Sequence, residues 1–210
     1  MSSPYQDEWE SPEYDNLASI AENLVYRLPG CSEVMIRKTI SSVYRDFCKR
    51  TCVLRTKRRI ELEHGRNAYP LVARIEDCVV DCITEVEIGG CIIEHLDGWE
   101  NPSGDIICLH NRLLPPEGET WFLDVTCIEI PRLSSEKAPS LFIQRYGDAI
   151  QDGVLWELMS MMNRPWSDQQ QAFRFSRAYE NALTEHRTRY YGGGNLSCGK
   201  LNFIKKGAIL

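Results

Sequence analysis

The residues of this sequence that are equipped for chemistry are nine cysteines, four histidines and a few charged clusters. Two cysteine pairs have a C-x-x-x-C spacing, Cys48/Cys52 and Cys78/Cys82. Zinc sites more often use C-x-x-C, with a second pair or histidines at a regular offset. His64, His95, His110 and His186 are scattered and supply no such partner. Cys48 falls on an apolar helix face, and Cys78, Cys82 and Cys127 fall in strand-like runs. Free cysteine there acts as a small hydrophobe, so no metal and no cofactor is expected. An odd cysteine count without a secretory signal reads as reduced, cytosolic protein.

Other clusters point to chemistry only weakly. Glu85 and Glu87 share one strand face, and paired carboxylates can hold a cation or act as acid and base. A solvated face of an alternating strand explains them equally well. A cell-wall hydrolase would need two such acids, for example Glu85 with Glu94, ~5–10 Å apart in a cleft, and the sequence offers no preferred pair. His186 sits on an apolar helical face and reads as a core or interface histidine. Gly192-Gly193-Gly194 follows a helix, with no Lys-Ser/Thr behind it, so it reads as a hinge or helix stop. Arg55, Lys57, Arg58 and Arg59 form the one dense basic run. It fits a partner or DNA patch, or a solvated junction. Nucleophile-elbow, P-loop, dinucleotide and H-E-x-x-H signatures do not occur, and the chain is expected not to be an enzyme.

The elements that must position these residues follow from composition and period. The chain has 210 residues, a formal net charge of -6, 43% apolar and 26% charged residues. That suits one or two globular domains. No apolar run approaches the ~20 residues of a membrane span, so no membrane partner is expected. Net acidity argues against a general nucleic-acid binder. The charge is uneven: residues 1–15 hold five acids and no base, and residues 187–210 hold five bases and no acid.

Residues 1–14 are polar, lack a period and read as an acidic arm rather than a targeting segment. Leu17, Ile20, Ala21, Leu24, Val25 and Leu28 predict a first helix, capped by Asp15 or Asn16 and ended by Pro29-Gly30. Ile36, Ile40, Val43, Tyr44 and Phe47 predict a second, from Ser32 to about Thr51. Residues 53–132 read as short antiparallel strands. Val80, Cys82, Thr84, Val86 and Ile88 alternate against Asp81, Ile83, Glu85 and Glu87, and Gly89-Gly90 signals a hairpin. Trp121, Leu123, Val125 and Cys127 alternate against Phe122, Asp124, Thr126 and Ile128. Residues 132–139 read as a linker. A third helix begins near Ser140, widened by Trp156, Met159 and Met162. A fourth follows a Ser167–Gln170 capping box. The expected fold is α+β: a four-helix bundle from 15–52 and 140–190, with a small antiparallel β module inserted at 53–132. An acidic arm (1–14) and an extended tail (191–210) flank it.

The order of motifs resembles the head–tail adaptor, or connector, proteins of short-tailed bacteriophages. One stretch runs from Leu28-Pro29-Gly30-Cys31 through Ile36–Thr51 to Ala68-Tyr69-Pro70-Leu71. The other holds Pro139-Ser140-Leu141, Tyr146–Ile150, Gly153–Met159, Pro165-Trp166-Ser167 and the helix Ala172–Tyr179. The resemblance spans most of residues 17–190. It implies a virion protein assembled in the host cytoplasm, forming a dodecameric ring under the portal protein. It implies a nozzle or tail protein as the next partner, and a lumen that passes double-stranded DNA without reading its sequence. A related neck stopper or tail-completion protein is the alternative.

The tail carries an expectation of its own. Residues 192–210 are apolar and basic, yet show no period. Docking on a partner buries such residues and offsets the entropy of ordering them. A packed extension on the chain's own bundle is the alternative. Leu196, Leu201, Phe203, Ile204, Ile209 and Leu210 are the expected plugs into the portal. Lys200, Lys205 and Lys206 would meet acidic portal surface.

Overall fold

The computed structural model describes residues 12–95 and 98–191, with side chains as far as residue 187. The described residues form two compact units. One holds residues 12–16 and 53–144, and the other holds 17–52 and 145–191.

In the helical unit, α1 spans Ala18–Val25 and α2 spans Glu33–Thr51. The division falls inside α3, Ser140–Met159, and α4 spans Gln169–Tyr191. α2 forms as its stripe predicts. The Ser32 hydroxyl accepts from the Met35 amide, and Cys52 ends the helix in a left-handed turn at φ 52°. Ile36, Ile40, Val43, Phe47, Ile150, Val154, Leu158, Tyr179 and Leu183 are buried to 2% exposure or less, which defines the core of this unit. Phe47 stacks at 5.1 Å on Tyr146 and at 6.1 Å on Tyr179. On the polar side of the same contact, Arg50 makes two hydrogen bonds to Glu180 of 2.6 and 2.7 Å. Tyr179 donates to Asp46 at 3.0 Å, and Arg187 donates to the Arg50 carbonyl.

The other unit is built on sheets. β1 (Tyr14–Asn16) pairs antiparallel with β9 (Lys137–Pro139). A four-stranded sheet has the order β2-β8-β4-β5, from Arg55–Leu62, Trp121–Pro131, Cys78–Ile88 and Cys91–Ile92. A three-stranded sheet has the order β3-β7-β6, from Ala68–Pro70, Ile106–Leu109 and Trp99–Glu100. The two larger sheets share one core. Leu62, Val86, Leu123, Val125 and Cys127 come from the first, and Tyr69, Trp99, Ile107 and Leu109 from the second. Gly89 and Gly90, at φ 59° and 81°, make the two-residue turn between β4 and β5. Two positive φ values make a type I′ turn, one of the two whose twist matches that of the strands.

A helix bundle with a small β insert is therefore the wrong description. The fold is α+β, with about 28% strand in three sheets. The β part grows because polar and proline-bearing stretches pair over long range. The expected arm and linker supply β1 and β9 at residues 14–16 and 137–139, and the basic run supplies β2.

Smaller expectations also change. β4 carries two bulges, at Asp81 and Thr84, which shift its register against β8. Each adds a residue and turns a step of two into three. The core face is thus Val80, Ile83, Val86 and Ile88, and Cys82 moves outward to sit across from Ile128. α1 starts after Leu17, whose side chain cannot cap it, and Val25 is 42% exposed. Ser167 belongs to the α3–α4 loop, where its hydroxyl bonds Arg164 and Met161. Asp168 caps α4 instead, accepting from the Gln171 amide at 2.9 Å. Met162 lies past the end of α3 and is 78% exposed.

Gly153 of α3 marks a close approach. A Cβ there would stand 2.6 Å from Val43 of α2 and 3.0 Å from the Tyr179 ring of α4. Overpacking of this kind costs about 1–3 kcal/mol, while alanine gains only about 1 kcal/mol over glycine in a helix interior. Gly153→Ala is expected to lower the urea midpoint despite its better helix propensity. A raised midpoint would show that Val43 and Tyr179 yield freely.

Candidate functional site

Along β2 the side chains alternate. Thr56, Arg58, Ile60 and Leu62 face inward, and Arg55, Lys57, Arg59 and Glu61 face outward. Each member of the basic run has a partner within its own unit. Arg55 donates to Thr84 at 3.2 Å and Lys57 to Glu87 at 2.8 Å. Arg59 forks onto both Asp124 oxygens at 2.8 and 2.9 Å. Glu85 lies on the same outer face, across from Thr126, and its charge also raises the Lys57 pKa. On this outer face three cations of β2 thus stand beside Asp124 of β8 and Glu85 and Glu87 of β4, with Lys57 and Arg59 in ion pairs.

Arg58 differs from its neighbours because it points inward. It donates at 2.7 Å to Glu129, which is 0% exposed. Thr56 donates to the same carboxylate at 2.6 Å, and the amides of Arg74 and Ile75 each donate at 2.9 Å. Sequence reasoning missed this group. A lone glutamate between Ile128 and Ile130, in an otherwise apolar run, was the available signal.

At the turn end of the sheet, a groove of about 550 Å³ is lined by Trp121, Phe122, Arg59, Asp124 and the Gly89-Gly90 turn. Phe122 is 45% exposed, with the Arg59 guanidinium 5.6 Å over its ring. Neither Glu85 nor Glu94 lines it. The Ile93 amide still bonds the Val86 carbonyl at 2.8 Å, so Glu94 lies just past the end of the hairpin pairing, exposed.

His186 is buried at 5% exposure, and its Nδ1 lies 2.8 Å from the Tyr146 hydroxyl. Cys48, Cys52, Cys78 and Cys127 are buried, and Cys91 is exposed in the hairpin. Among the described residues no cluster has the makings of a metal site, and no helix is long and apolar enough to cross a membrane. Leu196, Lys200, Leu201, Phe203, Ile204, Lys205, Lys206, Ile209 and Leu210 lie outside the described residues, as do the three glycines before them.

A second surface emerges in the helical unit. Its exposed large apolar side chains are Val25, Tyr26, Val34, Met161, Met162 and Phe173. All six lie at the C-terminal ends of α1 and α3 or the N-terminal ends of α2 and α4. These ends meet in space. A Cβ on Gly30 would stand 3.7 Å from Pro165, which brings the α1–α2 and α3–α4 loops together. Arg27 lies 4.8 Å over the Phe175 ring of α4. A groove of about 380 Å³ joins Val34, Met35 and Lys38 of α2 to Glu157 of α3. Tyr26 at 89% exposed and Met162 at 78% are the extreme members. The sequence pattern places Val25 on the apolar stripe of the first helix and Met162 on the widened apolar surface of the third.

No protein-family model matches the chain, and no curated protein does.

Two outcomes follow from these environments. The Arg59 guanidinium holds the Asp124 carboxyl below its ordinary value. A depressed carboxylate adds stability above its unfolded pKa of about 4, and this is lost as pH falls through the folded value. The stability gap between wild type and Asp124→Asn is therefore open at neutral pH and closes below about pH 4. Exposure of Arg59 keeps the gap small. A gap that persists unchanged into acid would assign it to packing.

Burial pushes the Cys127 thiol up to about 11. Among the described cysteines, alkylation at neutral pH is expected at Cys91 first, and at Cys127 only on unfolding. Mass spectrometry of partly alkylated native protein reads this order directly. Early labelling of Cys127 would contradict the burial of this strand.

Proposed function

We propose that this chain is a structural assembly protein, a head–tail adaptor of the short-tailed bacteriophage type. Copies form a ring under a portal protein, with twelve expected from the resemblance. The basic, apolar tail at 192–210 anchors the ring to the portal, and the sheet unit faces the next tail or nozzle protein. Genomic DNA passes through the lumen, and the protein works in the virion after assembly in the host cytoplasm.

The observation that carries this reading is the gathering of exposed apolar side chains at one end of the helical unit. Exposed apolar side chains gathered in this way favour protein–protein contact. The pairing of Arg55, Lys57, Arg58 and Arg59 inside their own unit supports it from the other direction. Phosphate affinity comes from cations that can release counterions, and three of these four are in ion pairs, with Arg55 on the Thr84 hydroxyl.

Co-expression with the portal protein of the same genome, followed by negative-stain imaging, tests the reading. The full chain is expected to co-purify as a ring below the portal. The chain cut after Tyr191 keeps every described residue, so it is expected to stay helical by circular dichroism while losing the portal. Equal binding by the cut chain would refute the anchor. Failure of the full chain to bind would refute the adaptor role.

A further inference from the structure

The loop end of the helical unit is charged as well as apolar. Arg27, Lys38, Arg164, Arg174 and Arg177 are all exposed there. None of them forms an ion pair among the described residues. Arg177 stacks 5.9 Å from the ring of the exposed Phe173, and Arg164 lies 5.9 Å from the Trp166 ring. Arg27 acts electrostatically on Asp152, and Lys38 lines a groove with Glu157, while Glu33 and Asp168 have other work. Glu33 pairs with Arg37 at 2.6 Å, and Asp168 caps α4. What remains is unpaired cations set among Tyr26, Met162 and Phe173. That chemistry suits an acidic segment with aromatic anchors.

The chain itself holds one such segment. Residues 1–11, ahead of the described chain, carry Asp7, Glu8 and Glu10 with Tyr5 and Trp9, and no lysine or arginine. Where the described chain begins, it is fixed at once. The Glu13 carbonyl accepts from the Ser140 amide at 2.8 Å, and β1 follows on β9. Eleven residues beyond that fixed point reach at most about 40 Å when extended.

We propose that residues 1–11 of one copy dock on the loop end of the helical unit of a neighbouring copy. The inference takes from the adaptor reading only that copies of the chain stand side by side. Trp9 and Tyr5 cover Tyr26, Met162 and Phe173, since rigid aromatics are the usual anchors and methionine repacks around them. Asp7, Glu8 and Glu10 meet Arg164, Arg174 and Arg177, which fixes register and speeds encounter. Each arm thereby ties one copy to the next.

The test uses the full chain with a photo-crosslinking phenylalanine analogue at position 9. Isotopically heavy and light copies are mixed over a concentration series. Heavy–light crosslinks are expected to join position 9 to peptides from residues 26–38 or 161–177. Arg174→Glu with Arg177→Glu is expected to cut their yield about tenfold, the effect of losing an interface hot spot. Adding the chain with Asp7→Lys, Glu8→Lys and Glu10→Lys to that variant is expected to restore the yield, because its arm then matches the reversed patch.

Four results would overturn the proposal: no crosslink, crosslinks confined to single copies, crosslinks to the sheet unit, or a yield indifferent to charge reversal. Rescue only when both sets of changes sit in one chain would show docking within a copy, and would also overturn it. Portal co-purification is scored separately. A crosslinked chain that ignores the portal would sink the adaptor reading alone, and a portal-bound chain without these crosslinks would sink this one alone.

Discussion

A carboxylate taken fully out of water costs several kcal/mol unless its lone pairs are met. Glu129 has no exposed surface and meets that cost with four donors. Those donors come from two places far apart in the chain. Thr56 and Arg58 lie on β2, and the Arg74 and Ile75 amides lie in the connection from β3 to β4. The Arg58 guanidinium also reaches the Val72 carbonyl in that connection. One side chain therefore fixes an edge strand and the irregular segment that leads into β4. Removing one partner of such a pair leaves an uncompensated buried charge, at about 3–5 kcal/mol. An apolar residue at this position would pack, but it would not hold the 72–75 backbone in place.

The same pair explains why part of the fold was hidden in the sequence. Local signals were legible where one element supplies them all. The Ser32 cap and stripe gave α2, Gly89-Gly90 gave the hairpin, and alternation from Trp121 to Cys127 gave the first half of β8. Arg55–Arg59 was not legible as a strand, because four cations in five residues look like surface. Arg58 turns inward only because Glu129 waits for it, 71 residues later. β1 and β9 are three residues each, too short for a period to show, and they pair across more than a hundred residues. The bulges at Asp81 and Thr84 moved Ile83 into the core against the simple alternation. Periodicity reports which residues share a face only while the backbone stays regular.

The candidate site was legible in a similar way. The charges of the basic run were plain, but their partners were not, since Thr84, Glu87 and Asp124 follow 29 to 65 residues later. The apolar loop end was missed for a different reason. Met161 and Met162 continue the period of α3, and only the end of the helix at Met159 turns them outward. Helix length, with α3 ending at Met159, decides which methionines are core and which are surface.

These two surfaces differ in what a partner must undo. On the sheet face, any ligand competes with ion pairs that already satisfy one another, so a visiting phosphate gains little and leaves a carboxylate behind. A polyanion should slide past such a face. At the loop end, Arg164, Arg174 and Arg177 have no ion pair to give up among the described residues, and the methionine, tyrosine and phenylalanine beside them gain by leaving water. Burying an apolar side chain of this size is worth about 1.5–3 kcal/mol, and the charges add direction more than strength. The loop end is thus the surface whose covering would take apolar side chains out of water, and the sheet face is the one whose charges are mostly paired already.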